Sequence, residues 1–391
     1  MTNDSTIKKG LLIFPIFTDT AVGKTDGVVV KNQGIENAFR NNGVDVDVMK
    51  YYSAGIFCGE QRVFTFSANR YVRGLQLLSS SWNAMGRHAG RQRYDFLWIR
   101  LPMVNPSIAR FVERFRKEQP QAKIVLEYGA YPYEKELTGW RRNFYRFSKG
   151  FERKVHQMAD FMITYSDQQQ LDGTPVIPID NGVDLSSIPL ATNGSDVQDT
   201  VHFISVSSLK RWHAIERFIE GMPGYLAQGK RPAIHFHIVG DGPEHGKLKQ
   251  LVKDLDLEQH VSFLGLRQGA GMDEAYNGKH IAIGTLGFHR LGLVKSSSLK
   301  NREYFGRGLP VVLSTPDEDM PATLPFVQYV AGGEAPLDIA ELVDFAQNVY
   351  QIPDLRGKIR AYAEEHVSWN SKIQTVLKHL QGKPLTEGVR K

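Results

Sequence analysis

The stretch at residues 300–312 reads KNREYFGRGLPVV and predicts a helix that ends abruptly before a buried strand. Gly308 can adopt the positive φ of a helix C-terminal cap, and Pro310 cannot continue a helix. The β-branched pair after Pro310 begins a short strand. Glu303 is therefore expected on a helix beside a sheet edge. Open α/β sheets bind nucleotides in such places, outside the carboxyl ends of their strands.

The same alternation of strand and helix patterns extends along the chain. Residues 201–206 and 235–239 are strand-like runs closed by polar or glycine turns, and apolar positions at helical spacing follow each of them. Further strands are predicted at residues 11–16, 44–48, 96–100, 123–127, 161–166, 261–265 and 280–284. This rhythm predicts an α/β fold of parallel, doubly wound sheets.

The length of 391 residues suits two domains of ordinary size. Residues 191–200 are rich in Asn, Gly, Ser and Asp and have almost no apolar side chain to bury, which predicts a linker. We therefore assign residues 1–190 to a first Rossmann-like domain and residues 191–365 to a second. Residues 366–391 are assigned to a C-terminal helix and tail.

Three motifs in this frame resemble those of the GT-B glycosyltransferases of family 4. The stretch 300–312 resembles the family's donor-site signature, which reads Glu, seven residues, Glu, and a small-residue run that ends in Gly-x-Pro. Residues 239–243 match the family's Val-Gly-Asp-Gly-Pro turn, and residues 181–184 match the tetrapeptide that closes its first domain. The resemblance implies the GT-B fold, in which two Rossmann-like domains have a cleft between them and the C-terminal helix crosses back to the first domain.

The resemblance also implies an activity, that of a retaining hexosyltransferase that works without a metal or another cofactor. The expected donor is a nucleotide sugar, with uridine as the base that the family favours. The expected acceptor is a lipid-linked saccharide or a polysaccharide, in the biosynthesis of surface polysaccharide. Amides and basic side chains would stabilise the leaving diphosphate electrostatically.

The donor site is expected at the carboxyl ends of the second-domain strands. Glu303 is the candidate for the ribose, because a carboxylate can accept hydrogen bonds from two hydroxyls, and Lys300 could add a full charge. The other donor-binding candidates are Ser208, Lys210, His213, Gly240, Gly265, Gly292, Ser296, Ser297 and Ser298. Two simpler interpretations stay open: Glu303 could pair with Lys300, and the serines could be plain helix N-caps.

The chain departs from the family pattern at its charged anchors. Alignment on Glu303 places Lys295 where the first glutamate of the signature stands. The arginine and lysine that normally follow the first strand of the second domain fall on Ser208 and His213. The residues that could neutralise the diphosphate instead are Lys210, Arg211 and Arg290. Alternatively, the site has lost its donor chemistry.

Catalytic and acceptor-binding candidates come from loops of both halves. Glu127 ends a first-half strand and could contact the acceptor hydroxyl or the sugar, while His289 and Arg290 lie in the loop before the donor-site helix. The acceptor-binding candidates are Gly27, Tyr128 and Tyr131. The simpler interpretations are that the loop histidine and arginine are solvated surface groups and that the glycine serves a packing turn.

The net charge of +6 lies entirely on the first half of the chain. Residues 1–190 hold 25 Lys and Arg against 19 Asp and Glu, and residues 191–391 hold 23 of each. Residues 140–154 interleave basic and aromatic side chains as a basic amphipathic helix does, which suits an anionic membrane surface or a phosphate-bearing lipid. An ordinary surface helix whose aromatic side chains face the core is the alternative. No nucleic-acid partner is predicted, because no compact recognition motif accompanies the charge.

Cysteine content and hydropathy indicate the cellular compartment in which the protein is expected. A single cysteine, Cys58, leaves no internal disulfide and favours a reducing compartment. No stretch approaches the ~20 apolar residues of a membrane span, and residues 1–10 lack a signal-peptide core. We expect a cytoplasmic protein that could attach peripherally to the inner face of the cell membrane.

Two other functions fit the same architecture. A catalytically silent partner subunit could bind an acceptor or stabilise a paired transferase, and the departures at Ser208, His213 and Lys295 favour this hypothesis. A sugar-nucleotide epimerase would need acidic and histidine groups poised in the cleft, and only Glu127 and His289 approach that requirement.

Overall fold

The computed structural model describes residues 6–19, 27–128, 140–164, 169–229 and 232–382. Contacts divide the chain into two compact units, Met1–Asp180 with Trp369–Lys391, and Asn181–Ser368. Each unit is built around its own sheet, and the parallel, doubly wound α/β fold predicted from the sequence is confirmed. Within the described ranges, no helix combines the length and the apolar character that a membrane crossing requires.

A sheet of nine strands, counted over the described residues, forms the centre of the first unit. The strands are β1 (Lys9–Phe17), β2 (Asp45–Tyr52), β3 (Gly55–Cys58), β4 (Gln61–Thr65), β5 (Phe96–Arg100), β6 (Lys123–Glu127), β7 (Phe161–Thr164), β8 (Gln170–Leu171) and β9 (Thr174–Pro178). Their spatial order is β4-β3-β2-β1-β5-β6-β7-β9-β8. Neighbours from β2 to β9 in this order are parallel, whereas β3, β4 and β8 add antiparallel edges.

Helices pack on both faces of this sheet. They are α1 (Gly27–Asn41), α2 (Arg70–Leu78), α3 (Ser80–Ala89), α4 (Pro106–Glu118) and α5 (Trp140–Met158). Alternate residues of β1 enter two separate cores: Leu11 and Ile13 pack with α3 and α4, whereas Leu12 and Phe14 pack with α1. A strand that is buried on both faces has this alternation, which explains its continuous apolar sequence.

The second unit is built on six parallel strands among its described residues. They are β10 (Thr200–Val206), β11 (Ala233–Val239), β12 (Val261–Gly265), β13 (Ile281–Ile283), β14 (Val311–Leu313) and β15 (Val327–Tyr329), in the order β12-β11-β10-β13-β14-β15. The helices are α6 (Glu216–Leu226), α7 (His245–Asp254), α8 (Ala270–Tyr276), α9 (Leu299–Gly306), α10 (Ile339–Val349) and α11 (Leu355–Tyr362). The strand order reverses between β10 and β13, so their carboxyl ends flank a crevice of the ligand-binding type.

The last described helix, α12 (Trp369–Leu380), packs in the first unit. Its buried residues Trp369, Ile373 and Val376 join the core on the α1 face of the sheet. A Cβ atom at Gly34 of α1 would lie 2.4 Å from the Trp369 ring, so a glycine permits this close approach. The first unit is thus assembled from both ends of the chain.

The structure moves the predicted boundary between the halves. Residues 181–190 pack in the second unit, where Arg360 donates hydrogen bonds to the carbonyl oxygens of Leu185 and Ile188. Residues 191–200, predicted as a linker, place Ala191 and Val197 in the core of the same unit. Two apolar side chains suffice to anchor this polar segment, and its overall composition conceals them.

Candidate functional site

The crevice between β10 and β13 is bordered by the segments that follow these strands. Residues 207–214 follow β10, and residues 284–298 lead from β13 into α9. These segments and α9 contain every donor-binding candidate except Gly240, which follows β11, and Gly265, which ends β12. The parallel sheet therefore brings candidates that are distant in sequence to one edge.

Glu303 lies within α9, and its side chain is 28% exposed. Its Oε1 atom is 3.0 Å from Nε of Arg307, whose guanidinium also donates to Asp273 Oδ1 at 2.7 Å. Burial raises the pKa of Glu303, and the charge of Arg307 opposes that rise. Glu303 thus pairs with Arg307 rather than with Lys300, the partner considered from the sequence. The carboxylate is held in place while part of it stays accessible, as a ribose-binding group requires.

The ammonium of Lys300, in the first turn of α9, has no counter-charge of its own. Its Nζ atom is inaccessible to solvent and has no hydrogen-bond partner among the described residues. Burial lowers the pKa of Lys300 to about 7. A buried cation without a partner is costly, so this ammonium indicates an anionic ligand.

Two neighbouring polar atoms also lack hydrogen-bond partners in the described part of the chain. They are Ser296 Oγ and Asn301 Oδ1, both on buried residues. By contrast, Ser297 Oγ accepts a hydrogen bond from the amide of Asn181 at 2.8 Å and is structural. Ser298 is the N-cap residue of α9 but makes no side-chain cap bond. The plain N-cap interpretation therefore does not account for the serine run.

The loop after β10 places His213 where the charge of Lys300 lowers the pKa of the imidazole. His213 is buried, and its Nδ1 atom accepts a hydrogen bond from the Lys210 amide at 3.0 Å. Burial, together with the charges of Lys300 and Lys210, lowers the pKa of His213 to about 3. The ring is therefore neutral at physiological pH and carries its proton on Nε2. The site offers a neutral imidazole N–H near an unpaired ammonium.

The same loop is strained at two positions. Leu209 and Ala214 have φ values of 39° and 49°, in the left-handed region that side chains disfavour. Both residues are buried, so the surrounding core holds them in this conformation. Strain of this kind clusters at functional sites, where it fixes side chains such as His213 in position.

The glycine candidates Gly240 and Gly292 make backbone hydrogen bonds within the second unit. Gly240 has a φ of 121°, and a Cβ atom there would lie 1.8 Å from the carbonyl oxygen of Ser207. Its amide donates to the carbonyl of Gly265 at 2.8 Å, and the amide of Gly292 donates to the carbonyl of His289 at 2.9 Å. Both amides are thus bonded within the backbone, and a contact of Gly240 or Gly292 with the donor stays a prediction.

Of the remaining charged or hydroxyl candidates, Ser208 and Lys210 are exposed and accessible to a ligand. The Nζ atom of Lys210 lies 4.9 Å from the centre of the Trp212 ring. Lys295, which stands at the position of the first signature glutamate, pairs with Glu318 at 2.6 Å on the surface. Lys295 is thus committed to a neighbouring carboxylate.

Residues 200–343 contain the crevice segments and α9, and they match the family described as glycosyl transferases group 1. The matched residues, 144 of the 391 in the chain, resemble this family. The resemblance to family 4 is confirmed over these residues, and the members of that family are retaining hexosyltransferases, the enzyme class that the sequence predicted.

Solved structures share the GT-B fold of this chain at low sequence identity. HepE of Anabaena in complex with UDP has a TM-score of 0.60 and 14% identity, over 96% of this chain and 100% of that chain. Sucrose-phosphate synthase from Thermosynechococcus elongatus has a TM-score of 0.61 and 15% identity, over 96% and 98% of the two chains. The lipopolysaccharide outer core galactosyltransferase WaaB, in its apo form, has a TM-score of 0.57 and 11% identity, over 95% and 99%. No curated protein matches the sequence significantly.

His289 and Arg290, predicted as catalytic residues of the glycosyltransferase, are bound to carboxylates. Glu334 accepts hydrogen bonds from His289 Nε2 at 2.7 Å and from Arg290 Nε at 3.1 Å, and Arg290 also binds Glu216 at 2.6 Å. Hydrogen bonding to Glu334 raises the pKa of Arg290, and the same contact lowers the pKa of Glu334 to about 2. The charge of Arg290 is thus neutralised by carboxylates of its own unit, and a catalytic role for His289 and Arg290 stays a prediction.

Glu127, the third catalytic candidate, is fully buried in the first unit. Its carboxylate is 2.8 Å from both Lys31 Nζ and Arg100 Nη1, and it accepts a hydrogen bond from Trp98 Nε1 at 3.0 Å. Burial favours the neutral acid, but Lys31 and Arg100 outweigh it and lower the pKa of Glu127 to about 2. Glu127 is thus neutralised within the first unit, and its contact with an acceptor or a sugar stays a prediction.

Tyr128, predicted to bind the acceptor, is buried as well. Its hydroxyl donates to Glu152 Oε1 at 3.0 Å and contacts His156 Nε2, and His156 Nδ1 is 2.7 Å from Asp172. This network belongs to the core of the first unit, and acceptor binding by Tyr128 stays a prediction. Gly27 is the exposed first residue of α1, and Tyr131 lies outside the described residues.

The basic aromatic segment 140–154 forms most of α5, and two of its aromatic side chains are described. Tyr145 is buried, and Phe151 packs against the core of the first unit. These contacts favour the interpretation of α5 as an ordinary surface helix over that of a membrane-binding helix.

One charged residue that the sequence analysis did not single out organises α9. Arg302 is fully buried beside Glu303, and its guanidinium binds both carboxylate oxygens of Asp317 and one of Asp319. It also donates to the carbonyl of Asn181 at 3.0 Å. Asp317 and Asp319 follow β14 at Asp-x-Asp spacing, and this pair of carboxylates was the sequence signal for a buried cation.

Proposed function

We propose that this glycosyltransferase moves a hexose from a UDP-sugar to a lipid-linked saccharide or polysaccharide in surface polysaccharide biosynthesis, with retention and without a metal. The donor is supported by the likeness to HepE, which has been crystallised with UDP, with UDP and glucose, and with UDP-glucose. The acceptor class is supported by the likeness to WaaB, a lipopolysaccharide outer core galactosyltransferase. We assign the donor to the second unit and the acceptor to the first.

The observation that carries the proposal is the unpartnered ammonium of Lys300 at the switch point of the second sheet. An ammonium has three donors, and water would satisfy them if the atom were exposed. A nucleoside diphosphate supplies anionic oxygens in their place, and charge-assisted hydrogen bonds of this kind are roughly twice as strong as neutral ones. A diphosphate is thus the ligand that completes the site.

In this proposal, three side chains bind the ribose and the diphosphate of the donor nucleotide. Glu303 accepts the ribose hydroxyls with the accessible part of its carboxylate. Lys300 binds the diphosphate, and the neutral ring of His213 donates its Nε2–H to the same group. Ser296 and Asn301 stand before and after Lys300 in the sequence. Ser296 Oγ and Asn301 Oδ1 have no hydrogen-bond partner among the described residues and are available to other atoms of the nucleotide sugar.

The chemistry follows from where charge develops during transfer. The bond between the anomeric carbon and the diphosphate oxygen breaks, and a bond from that carbon to the acceptor oxygen forms. Negative charge grows on the leaving diphosphate, where Lys300 and His213 stabilise it. The leaving phosphate oxygen takes the acceptor proton, so the reaction does not require Glu127 as a base. Glu303 contacts a part of the donor that does not react, so its contribution falls mainly on KM.

The proposal is tested by calorimetric titration of the full chain with UDP, UDP-sugars and other nucleoside diphosphates. We expect saturable binding of uridine nucleotides that Glu303→Ala weakens at least about tenfold, because two hydroxyl hydrogen bonds to a charged group are lost. Glu318→Ala removes a surface carboxylate of the same unit and should leave the affinity unchanged.

Two results would count against the proposal in different ways. The absence of binding to every nucleotide would overturn the donor assignment. Uridine nucleotide binding without hexose transfer to any lipid-linked or polysaccharide acceptor would overturn the transferase assignment and favour the silent partner subunit.

A further inference from the structure

Helix α2 presents an apolar face to solvent. None of its nine residues is buried, and Tyr71, Val72, Leu75 and Leu78 are 71%, 44%, 67% and 47% exposed. At 100° per residue these four positions fall within one stripe of the helix, because they stand at i, i+1, i+4 and i+7. Single exposed apolar residues are common, but a stripe of four on a short helix marks an interaction surface.

The helix is nevertheless held firmly to the first unit. The side chain of Asn69 caps it by accepting hydrogen bonds from the amides of Tyr71 and Val72. The amide of Ser67 donates to Gln76 Oε1 at 2.8 Å, and Leu77 packs against the core on the α3 side. The exposed stripe is thus a fixed face of a capped helix.

The charged side chains in the stretch of sequence that contains this face are all basic. Residues 61–94, which run from β4 through α2 and α3, contain no Asp or Glu. Their basic residues are Arg62, Arg70, Arg73, Arg87, Arg91 and Arg93, and every one of these except Arg73 is exposed. An apolar stripe with arginines in the same helix and in the segments before and after it in sequence has the composition of a helix that lies in the interface of an anionic membrane.

We propose that α2 lies on the surface of a lipid bilayer that contains anionic lipids, with Tyr71, Leu75 and Leu78 in the interface and the arginines on the head groups. A second copy of this chain fits the face poorly, because isologous pairing would bring two segments rich in arginine and free of carboxylates together. This surface replaces α5 as the membrane-binding element expected from the sequence. The inference does not depend on the donor site.

The test is flotation of the full chain with vesicles of phosphatidylcholine, with and without phosphatidylglycerol, in the absence of nucleotide. Because no nucleotide is present, failure here is separate from failure of the proposed function. We expect binding to the anionic vesicles, and a loss of at least about tenfold in the variant Leu75→Gln/Leu78→Gln, since both side chains would leave the interface. Leu266→Gln, at a leucine of the second unit that is 73% exposed, is the matched control.

A second measurement places α2 in the interface directly. In a Cys58→Ser/Leu75→Cys variant labelled with an environment-sensitive fluorophore, anionic vesicles should shift the emission to the blue. An absent shift, or equal vesicle binding by the Leu75→Gln/Leu78→Gln variant, would overturn the proposal. Sedimentation equilibrium offers a further check. A dimeric parent protein and a monomeric double variant would also overturn the proposal, because the face would then bind a second copy.

Discussion

Each unit contains a lysine whose ammonium is buried. The two ammoniums differ in whether a carboxylate neutralises them. In the first unit, Lys31 Nζ is 2.8 Å from Glu127, which also binds Arg100. In the second, Lys300 Nζ has no hydrogen-bond partner within the described residues. Burial lowers the pKa of Lys31 to about 8 and that of Lys300 to about 7. The first cation is neutralised within the protein and serves the fold, whereas the second is the cation that we propose to bind the donor diphosphate.

The largest effect is expected from breaking the closed network. Glu127→Gln leaves Lys31 and Arg100 buried without a counter-charge, and the free energy of unfolding should fall by about 3–5 kcal/mol. Urea-induced unfolding measures this loss. The control is Glu113→Gln, which removes an exposed pair with Lys154 and should cost no more than about 1 kcal/mol. Equal losses in the two variants would show that the network contributes no more than a surface pair.

The open site should respond in the reverse sense. Lys300→Met removes a cation that has no partner, so the free energy of unfolding of the unliganded protein should stay the same or rise. The same variant should lose about 2–3 kcal/mol of UDP binding, because charge-assisted hydrogen bonds to the diphosphate are missing. Calorimetry measures the binding, with Lys253→Met, at an exposed lysine of α7, as the control. A large loss of stability in Lys300→Met would mean that Lys300 serves the fold as Lys31 does.

Titration of Lys300 should make UDP binding depend on pH. Its pKa in the free protein is lowered to about 7, and a bound diphosphate raises it. The contribution of the ammonium to affinity is therefore complete below pH 7 and is lost as the pH rises above 7, by at most about tenfold per pH unit. In Lys300→Arg the guanidinium stays charged, so any slope that this variant shares with the parent belongs to another group. An identical slope in both proteins would contradict the assignment.

The smallest effect is expected at Lys295, which pairs with Glu318 on the surface. Lys295→Glu restores the residue type of the family signature and breaks this pair. An exposed ion pair is worth about 0–1 kcal/mol, so UDP affinity should change by less than about threefold. A gain of tenfold or more would show that the departure at Lys295 had weakened the donor site.

The sequence predicted the parts of the fold that local pattern determines. The apolar runs became strands, and the glycine and proline after Glu303 ended α9 before β14 at the switch point of the sheet. Glu303 was predicted as a site residue because a short motif contains it, and Lys300 was predicted because it lies on the same helix. The side chain of Glu303 is partly exposed as expected, but its ion pair is with Arg307, which no spacing rule selected.

The ion pairs of several charged residues were not predicted for one physical reason, which is that the sequence does not show which distant residue a charge contacts. Glu127 at a strand end resembles a catalytic group until Lys31 is seen 2.8 Å away, and the two are far apart in sequence. Arg290 is likewise bound by Glu334 from another loop. Arg302 was missed for the same reason, since its carboxylates follow the next strand. Local pattern places a charge on an element, whereas its availability depends on tertiary packing.

The return of α12 to the first unit has a consequence for biosynthesis. All of Asn181–Ser368 is translated before Trp369, the residue that contacts Gly34 of α1. The ribosome therefore releases every residue of the second unit before it supplies the last piece of the first, although the first begins the chain. Domains generally fold as units during synthesis, so the second unit can finish while the first still lacks its closing helix.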